Sequence, residues 1–174
     1  DPSAATKPPR VEDAQAVLEA AVRQIQQRLA SNPAIASLSK QVEFTVTPEG
    51  LRIDLVDADQ SSFFGSGSAV LRGEAEQILG VIGRQLAGLG HDVVIEGHTD
   101  SQRYATPEGY SNWELSADRA NAARRAMERQ GFPPKLVAGV RGHADRLLRI
   151  RDNPSDPTNR RVSIVVRNTN APTS

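Results

Sequence analysis

The chain has 174 residues, and its 21 Lys+Arg balance its 21 Asp+Glu, so the formal net charge is zero. That balance argues against nucleic-acid binding, which rests on a basic excess or stripe. The absence of cysteine excludes disulfides, thiolate nucleophiles and cysteine-held zinc. No apolar run approaches the roughly 20 residues of a membrane-spanning helix, and no signal-peptide pattern is visible. The first residue is Asp1, which reads as a processed chain or a piece of a longer one.

Residues 1–10, DPSAATKPPR, read as a flexible arm. From Val11 to Ala30 the spacing predicts a helix, with Val11, Ala14, Leu18, Ala21, Val22, Ile25 and Leu29 on one stripe. Acidic residues lie early (Glu12, Asp13) and Arg28 late, as the helix dipole favours. Ser31-Asn32-Pro33 stops it, and residues 11–39 together form a linker segment ahead of a domain spanning 40–168. Two alternating stretches, 41–47 and 50–56, flank Pro48-Glu49-Gly50 and predict a β-hairpin. A loop follows, with Ser68 placed as N-cap of a helix over about 69–89, whose core face is Leu71, Ala75, Ile78, Ile82, Leu86 and Leu89.

His91–Gly97 (HDVVIEG) is apolar on both sides and predicts a central strand. After a loop comes the helix of YSNWELSADRANAARRAM (110–127), then strands over 136–142 and 160–167. Residues 169–174 read as a disordered tail. Strands alternating with helices after an initial hairpin predict an α/β (α+β) two-layer sandwich, a mixed β-sheet covered by helices on one side, with an extra N-terminal helix.

The 110–127 helix carries an intrusion. Leu115, Ala120, Ala122, Ala123, Ala126 and Met127 gather on one side, yet Asn112, Ser116 and Arg119 point into that side too. Ser111 and Glu114 have capping-box spacing and account for helix initiation. A guanidinium aimed inward costs several kcal/mol unless an anion meets it, and Asp100, where VVIEGHTD leaves the sheet, is the expected partner. Two readings of the pair stand side by side. It is a buried ion pair that only fixes the fold, or it is two opposite charges on one concavity, suited to a zwitterionic ligand, with Asn112 able to donate and accept beside them.

Other chemistries find weaker support. His91, His98 and His143 are scattered and no HExxH occurs, so no metal centre is expected from spacing. GSGSA (65–69) is neither a nucleophile elbow nor a P-loop, because Gly67 occupies the serine position and no Lys-Ser/Thr follows. No cofactor is expected.

Asn112, Leu115, Ser116, Arg119 and Ala120, together with GHTD (97–100) and NRRV (159–162), resemble in order the signature of OmpA-like peptidoglycan-binding domains. The resemblance spans about 40–168, and GYSNWELSADRANAARR and FGSGSA most resemble the MotB branch, the B subunits of flagellar stators. It implies a non-catalytic domain that grips the peptide stem of peptidoglycan. Asp100 and Arg119 would bind the diaminopimelate end, with Thr99 of the same motif, Asn112, and Arg160 or Arg161 completing the site. Two departures are visible: Gly65 follows Phe64 where many relatives carry Asp, and the loop 101–110 is longer than in the simplest members. Tyr104 and Tyr110 either wall the groove or pack that loop.

The MotB resemblance further implies the periplasmic region of a single-pass inner-membrane protein, a homodimer, a stator A subunit as partner, and contact with basal-body ring proteins. The 11–30 helix would lie between membrane and wall-binding core, or simply pack on its own domain. The alternative within the family is an OmpA- or Pal-type tether between outer membrane and wall. A third reading, from another class, is a metal-dependent wall hydrolase.

Overall fold

A computed structural model describes residues 10–103 and 108–168. The N-terminal arm up to residue 9, Tyr104 and the 169–174 tail lie outside the described residues. Among those described, no helix is long and apolar enough to cross a membrane.

Eight main elements follow the expected order: α1 (Val11–Ser31), β1 (Val42–Thr47), β2 (Gly50–Val56), α2 (Gly73–Ala87), β3 (Val93–His98), α3 (Asn112–Arg129), β4 (Val137–Gly142) and β5 (Arg161–Arg167). The strands form one sheet in the order β1-β2-β5-β3-β4. All neighbours are antiparallel except β3 and β4. That parallel pair is joined through α3, because parallel strands need a crossover long enough to return the chain.

Registry explains the two faces. Ile53, Ile164 and Ile95 lie opposite one another across β2, β5 and β3, and each is fully buried beneath the helices. One residue along, Asp54, Ser163 and Glu96 are aligned on the other face, since successive side chains alternate. The sheet therefore has one helix-covered apolar face and one polar face. β3 is buried along its whole length, with Glu96 and His98 of the polar face included.

Helix α1 packs on its own domain. Leu18, Ile25 and Leu29 are at most 1% exposed and share the core with Ile53, Ile82 and Ile164. The start of α2 differs from the expected one. The helix begins at Gly73 with Arg72 at its N-cap, and no side chain caps it. Residues 63–72 pair with each other instead: Arg72 N–H donates to Phe63, Gly65 N–H to Val70, and Phe64 bridges Leu71. Ser68 Oγ accepts from Val70 N–H within that small turn. Once local backbone groups are paired in this way, they cannot also serve a helix start, so Ser68 is not the cap.

Candidate binding site

Helix α3 starts as the sequence specifies. Ser111 Oγ accepts from Trp113 N–H at 3.2 Å and the Glu114 carboxylate accepts from Ser111 N–H at 2.7 Å, closing the capping box. The helix then lies very close to the sheet. A Cβ on Gly97 would fall 1.9 Å from the Ser116 carbonyl oxygen, and one on Gly142 would fall 2.7 Å from the Ala117 nitrogen. Only glycine fits beneath α3 at these two positions. Ser116 bonds backbone, donating to Trp113 O and accepting from Ala144 N–H.

This close approach sets charged side chains together where β3 leaves the sheet. Asp100 is fully buried; one oxygen accepts from Arg160 at 2.7 Å and the other from Gln102 N–H at 2.9 Å. Arg160 also reaches Asp57 at 3.1 Å, so it bridges two carboxylates. Burial works against its charge, but the hydrogen bonds to Asp57 and Asp100 prevail and hold its pKa above the ordinary value. Asp57 in turn accepts from Phe63 N–H, tying the cluster to the 63–72 turn.

Arg119 points inward as expected and is only 4% exposed. It donates to the carbonyls of Ser68 (2.9 Å) and Gly65 (3.3 Å), and its guanidinium lies 5.0 Å from the Phe64 ring centroid. It also acts on Asp57 through space. The guanidinium seated on Asp100 is thus that of Arg160, because β5 brings residue 160 to the strand end while α3 aims Arg119 at the 63–72 turn. At Gly65 the backbone carbonyl receives Arg119.

Arg160 and Arg161 part company by one step of the strand. Arg161 is in register with His98, at the end of the row that carries Glu96, and donates to the carbonyls of Asn159 and Leu147. Burial lowers its pKa. Thr99 is buried and donates to the Asp100 carbonyl. Asn112 donates to the carbonyls of Asp100 (3.4 Å) and Gln102 (3.2 Å), fixing the strand exit to the start of α3.

Two spaces adjoin these residues. A cavity of about 10 Å³ is lined by Asp57, Phe63, Phe64, Arg119 and Arg160, among others. Separately, a groove of about 590 Å³ is lined by Ser101, Arg103, Tyr110, Asn112, Trp113 and Arg146. Tyr110 both walls this groove and donates to Asp118. The arrangement presents guanidinium donors for a carboxylate and carboxylates for an ammonium, and Asn112 lines the groove.

The bridging role of Asp57 and Arg160 was not visible in sequence, where DAD (57–59) reads as loop. A second cluster was also hidden, on the polar face: Glu96, His98 and His143 have ligand-type atoms within 4.8 Å of one another. Burial foremost, then Arg161, His143 and Arg52, pull the His98 pKa down to about 3.

The OmpA family matches residues 63–162, which contain Thr99, Asp100, Asn112, Arg119, Arg160 and Arg161 but not Asp57. The chain belongs to the OmpA family. It is 38% identical over 148 residues to Motility protein B of Escherichia coli strain K12, covering 84% of this chain and 48% of that protein. It is 35% identical over 103 residues to the Peptidoglycan-associated lipoprotein of Pseudomonas aeruginosa, with 59% of each chain covered. The chain therefore spans about half the length of the Motility protein B that it matches. Its fold is that of a MotB-like protein from Desulfovibrio vulgaris, with a TM-score of 0.70 over 91% of this chain and 98% of that one at 17% identity. For this OmpA-family domain the mixed five-stranded sheet and its helical cover are thus the family's own architecture, and α1 precedes the matched region.

Proposed function

We propose that the chain is the wall-gripping periplasmic region of a flagellar stator B subunit, holding the motor by binding peptidoglycan without catalysing a reaction. The observation that carries this reading is the cluster of two guanidinium groups and two carboxylates at the end of β3. A site of opposite charges fits a zwitterion better than it fits a simple anion or cation. Likeness to Motility protein B supports the stator over an outer-membrane tether.

In this reading the diaminopimelate end of a stem peptide is the ligand. Its carboxylate takes the fork of Arg119, and its ammonium goes to Asp100, flanked by Thr99 and Asn112. Of the two arginines Arg160 completes the site, because it donates to the Asp100 carboxylate while Arg161 donates to the carbonyls of Asn159 and Leu147. A cavity of about 10 Å³ holds one water at most, so the ligand enters by exchange: the Gly65 and Ser68 carbonyls release Arg119 as the carboxylate arrives. The rest of the peptide lies in the groove past Asn112 and Trp113. Outside these 174 residues the reading places one membrane-spanning helix bearing a proton-carrying acid, and it makes the protein a homodimer working with a stator A subunit.

Purified peptidoglycan should pull the domain down on centrifugation, and Arg119→Ala and Asp100→Asn should each lose that sedimentation while circular dichroism shows a retained fold. A soluble stem peptide containing diaminopimelate should compete, whereas one with lysine at that position, lacking the second carboxylate, should not. Sedimentation unchanged in both variants defeats the reading, and equal competition by the two peptides removes its diaminopimelate detail.

A further inference from the structure

The polar face of the sheet holds three side chains that make no hydrogen bond to the Asp100 cluster, although His98 also lines the small cavity beside Arg160. Glu96 and His98 are two apart on β3 and share a face. The parallel partner β4 ends at Gly142, in register with Gly97, so His143 emerges beside them. Two of the side chains come from β3 and the third from the residue after β4, and their ligand-type atoms lie within 4.8 Å of one another.

His98 is the informative member. It is only 3% exposed, and neither ring nitrogen has a hydrogen-bond partner among the described residues. A buried polar atom left without a partner costs about 1–3 kcal/mol, and an imidazole nitrogen offers a lone pair that a cation can take. His143 stacks on it with ring centroids 4.8 Å apart, and its Nε2 lies 3.0 Å from Glu96 Oε2. An open groove of about 360 Å³, lined by Glu96, His98, Arg52, Asp54 and Arg161 among others, gives access from solvent.

We propose that Glu96, His98 and His143 form a binding site for a divalent transition-metal ion of the Zn²⁺ class. Two imidazoles and one carboxylate suit such an ion and do not suit Mg²⁺ or Ca²⁺, which take oxygen ligands. Three protein ligands leave the fourth tetrahedral position to water. Bonds of about 2 Å require the ligand atoms to converge, and His143, the most exposed of the three, is the one that turns. Glu96 offers Oε2, the oxygen now facing His143 and Arg141, while Oε1 stays with Arg52 at 3.2 Å. The exposed Arg141 has to swing aside, and the nearby Arg52 and Arg161 weaken the site without blocking it. The proposal does not rest on the wall-binding reading, since the Asp100 cluster uses none of these three side chains.

The test is titration of tag-free protein with ZnCl₂ against a chromophoric zinc indicator. One saturable equivalent per chain is expected, unaffected by excess Mg²⁺ or Ca²⁺. His143→Ala changes the most exposed ligand, so it keeps the fold, and it should weaken binding about 10-fold or more, because even outer-shell partners of bound metals are worth about 10–100-fold. Glu96→Gln should act in the same direction. His91→Ala is the control and should change nothing, because His91 lies at the opposite end of the strands, with Nδ1 2.9 Å from the Arg167 carbonyl. Absence of a saturable equivalent, or equal affinity in His143→Ala and the parent protein, overturns the proposal.

Discussion

The helix-covered and polar sides of the sheet both bury charge near the end of β3, and they satisfy it in different ways. On the covered side Asp100 gives one oxygen to Arg160 and the other to a backbone N–H, and Arg160 goes on to Asp57. On the polar side Glu96 is shared among Arg52, Arg141 and His143, while His98 beside it keeps two nitrogens without partners among the described residues. A satisfied cluster is costly to break, and a ligand enters it only by replacing bonds already made. An unsatisfied group is a standing cost that a ligand relieves on arrival. The two sides therefore suit different ligands: one that brings both charges, and one that brings only a vacant coordination sphere.

The largest expected effect comes from breaking the satisfied side. Asp100→Ala removes a fully buried carboxylate and leaves one arm of the half-buried Arg160 without its partner, and the loss of such a pair costs up to about 3–5 kcal/mol. Urea unfolding of the variant measures it. A loss under about 1 kcal/mol would mean that the cluster behaves like a surface pair, and the contrast between the two sides would vanish. This is also why the wall-binding test uses Asp100→Asn, which keeps an acceptor oxygen in place.

Next in size is the close contact that brings the cluster together. In Gly97→Ala the new methyl would meet the Ser116 carbonyl at 1.9 Å, so α3 has to lift from the sheet. Overpacking of this kind costs about 1–3 kcal/mol, and because α3 carries Asn112 and Arg119, peptidoglycan sedimentation should fall with it. Gly139→Ala, on β4, is the matched control. Nothing lies within 4 Å of its added methyl, so thermal unfolding should change by less than about 0.5 kcal/mol. Equal effects at the two glycines would show that strand propensity, and not the helix contact, sets the cost.

Much of this molecule was legible in its sequence because the deciding patterns are local. Alternation over 41–56 gave both hairpin strands, the Ser111–Glu114 spacing gave the start of α3, and the inward residues Ser116 and Arg119 are indeed buried. What stayed hidden depends on register between distant segments. Arg160 meets Asp57 and Asp100 across separations of 103 and 60 residues, and no spacing rule says which of Arg160 and Arg161 turns toward Asp100. A one-residue shift in strand pairing would exchange them. The same holds for His143, which reaches Glu96 across 47 residues only because β3 and β4 are parallel neighbours. Ser68 failed as a cap for a different reason: the 63–72 segment found backbone partners within itself, and propensity is a weak prior against that.

The smallest predicted effect concerns the outer margin of the polar side. Arg149 forks onto Glu43 with bonds of 2.6 and 2.9 Å, tying the segment after β4 to edge strand β1. The Arg149 hydrogen bond outweighs burial and holds the Glu43 carboxyl below its ordinary value of 4.5. A carboxylate with a depressed folded-state pKa contributes stability that is present above the unfolded value and is lost as pH falls through the folded one. Both side chains are more than a third exposed, so solvent screening limits the pair to about 0.2–1 kcal/mol, less at high salt. Arg149→Ala should therefore lose a fraction of a kcal/mol to urea at pH 7 in low salt. The difference should close well below pH 4.5, where Glu43 is protonated with or without its partner. A deficit unchanged by acid would assign the role of Arg149 to the packing of its stem, and charge on the polar side would then count for still less against the Asp100 cluster.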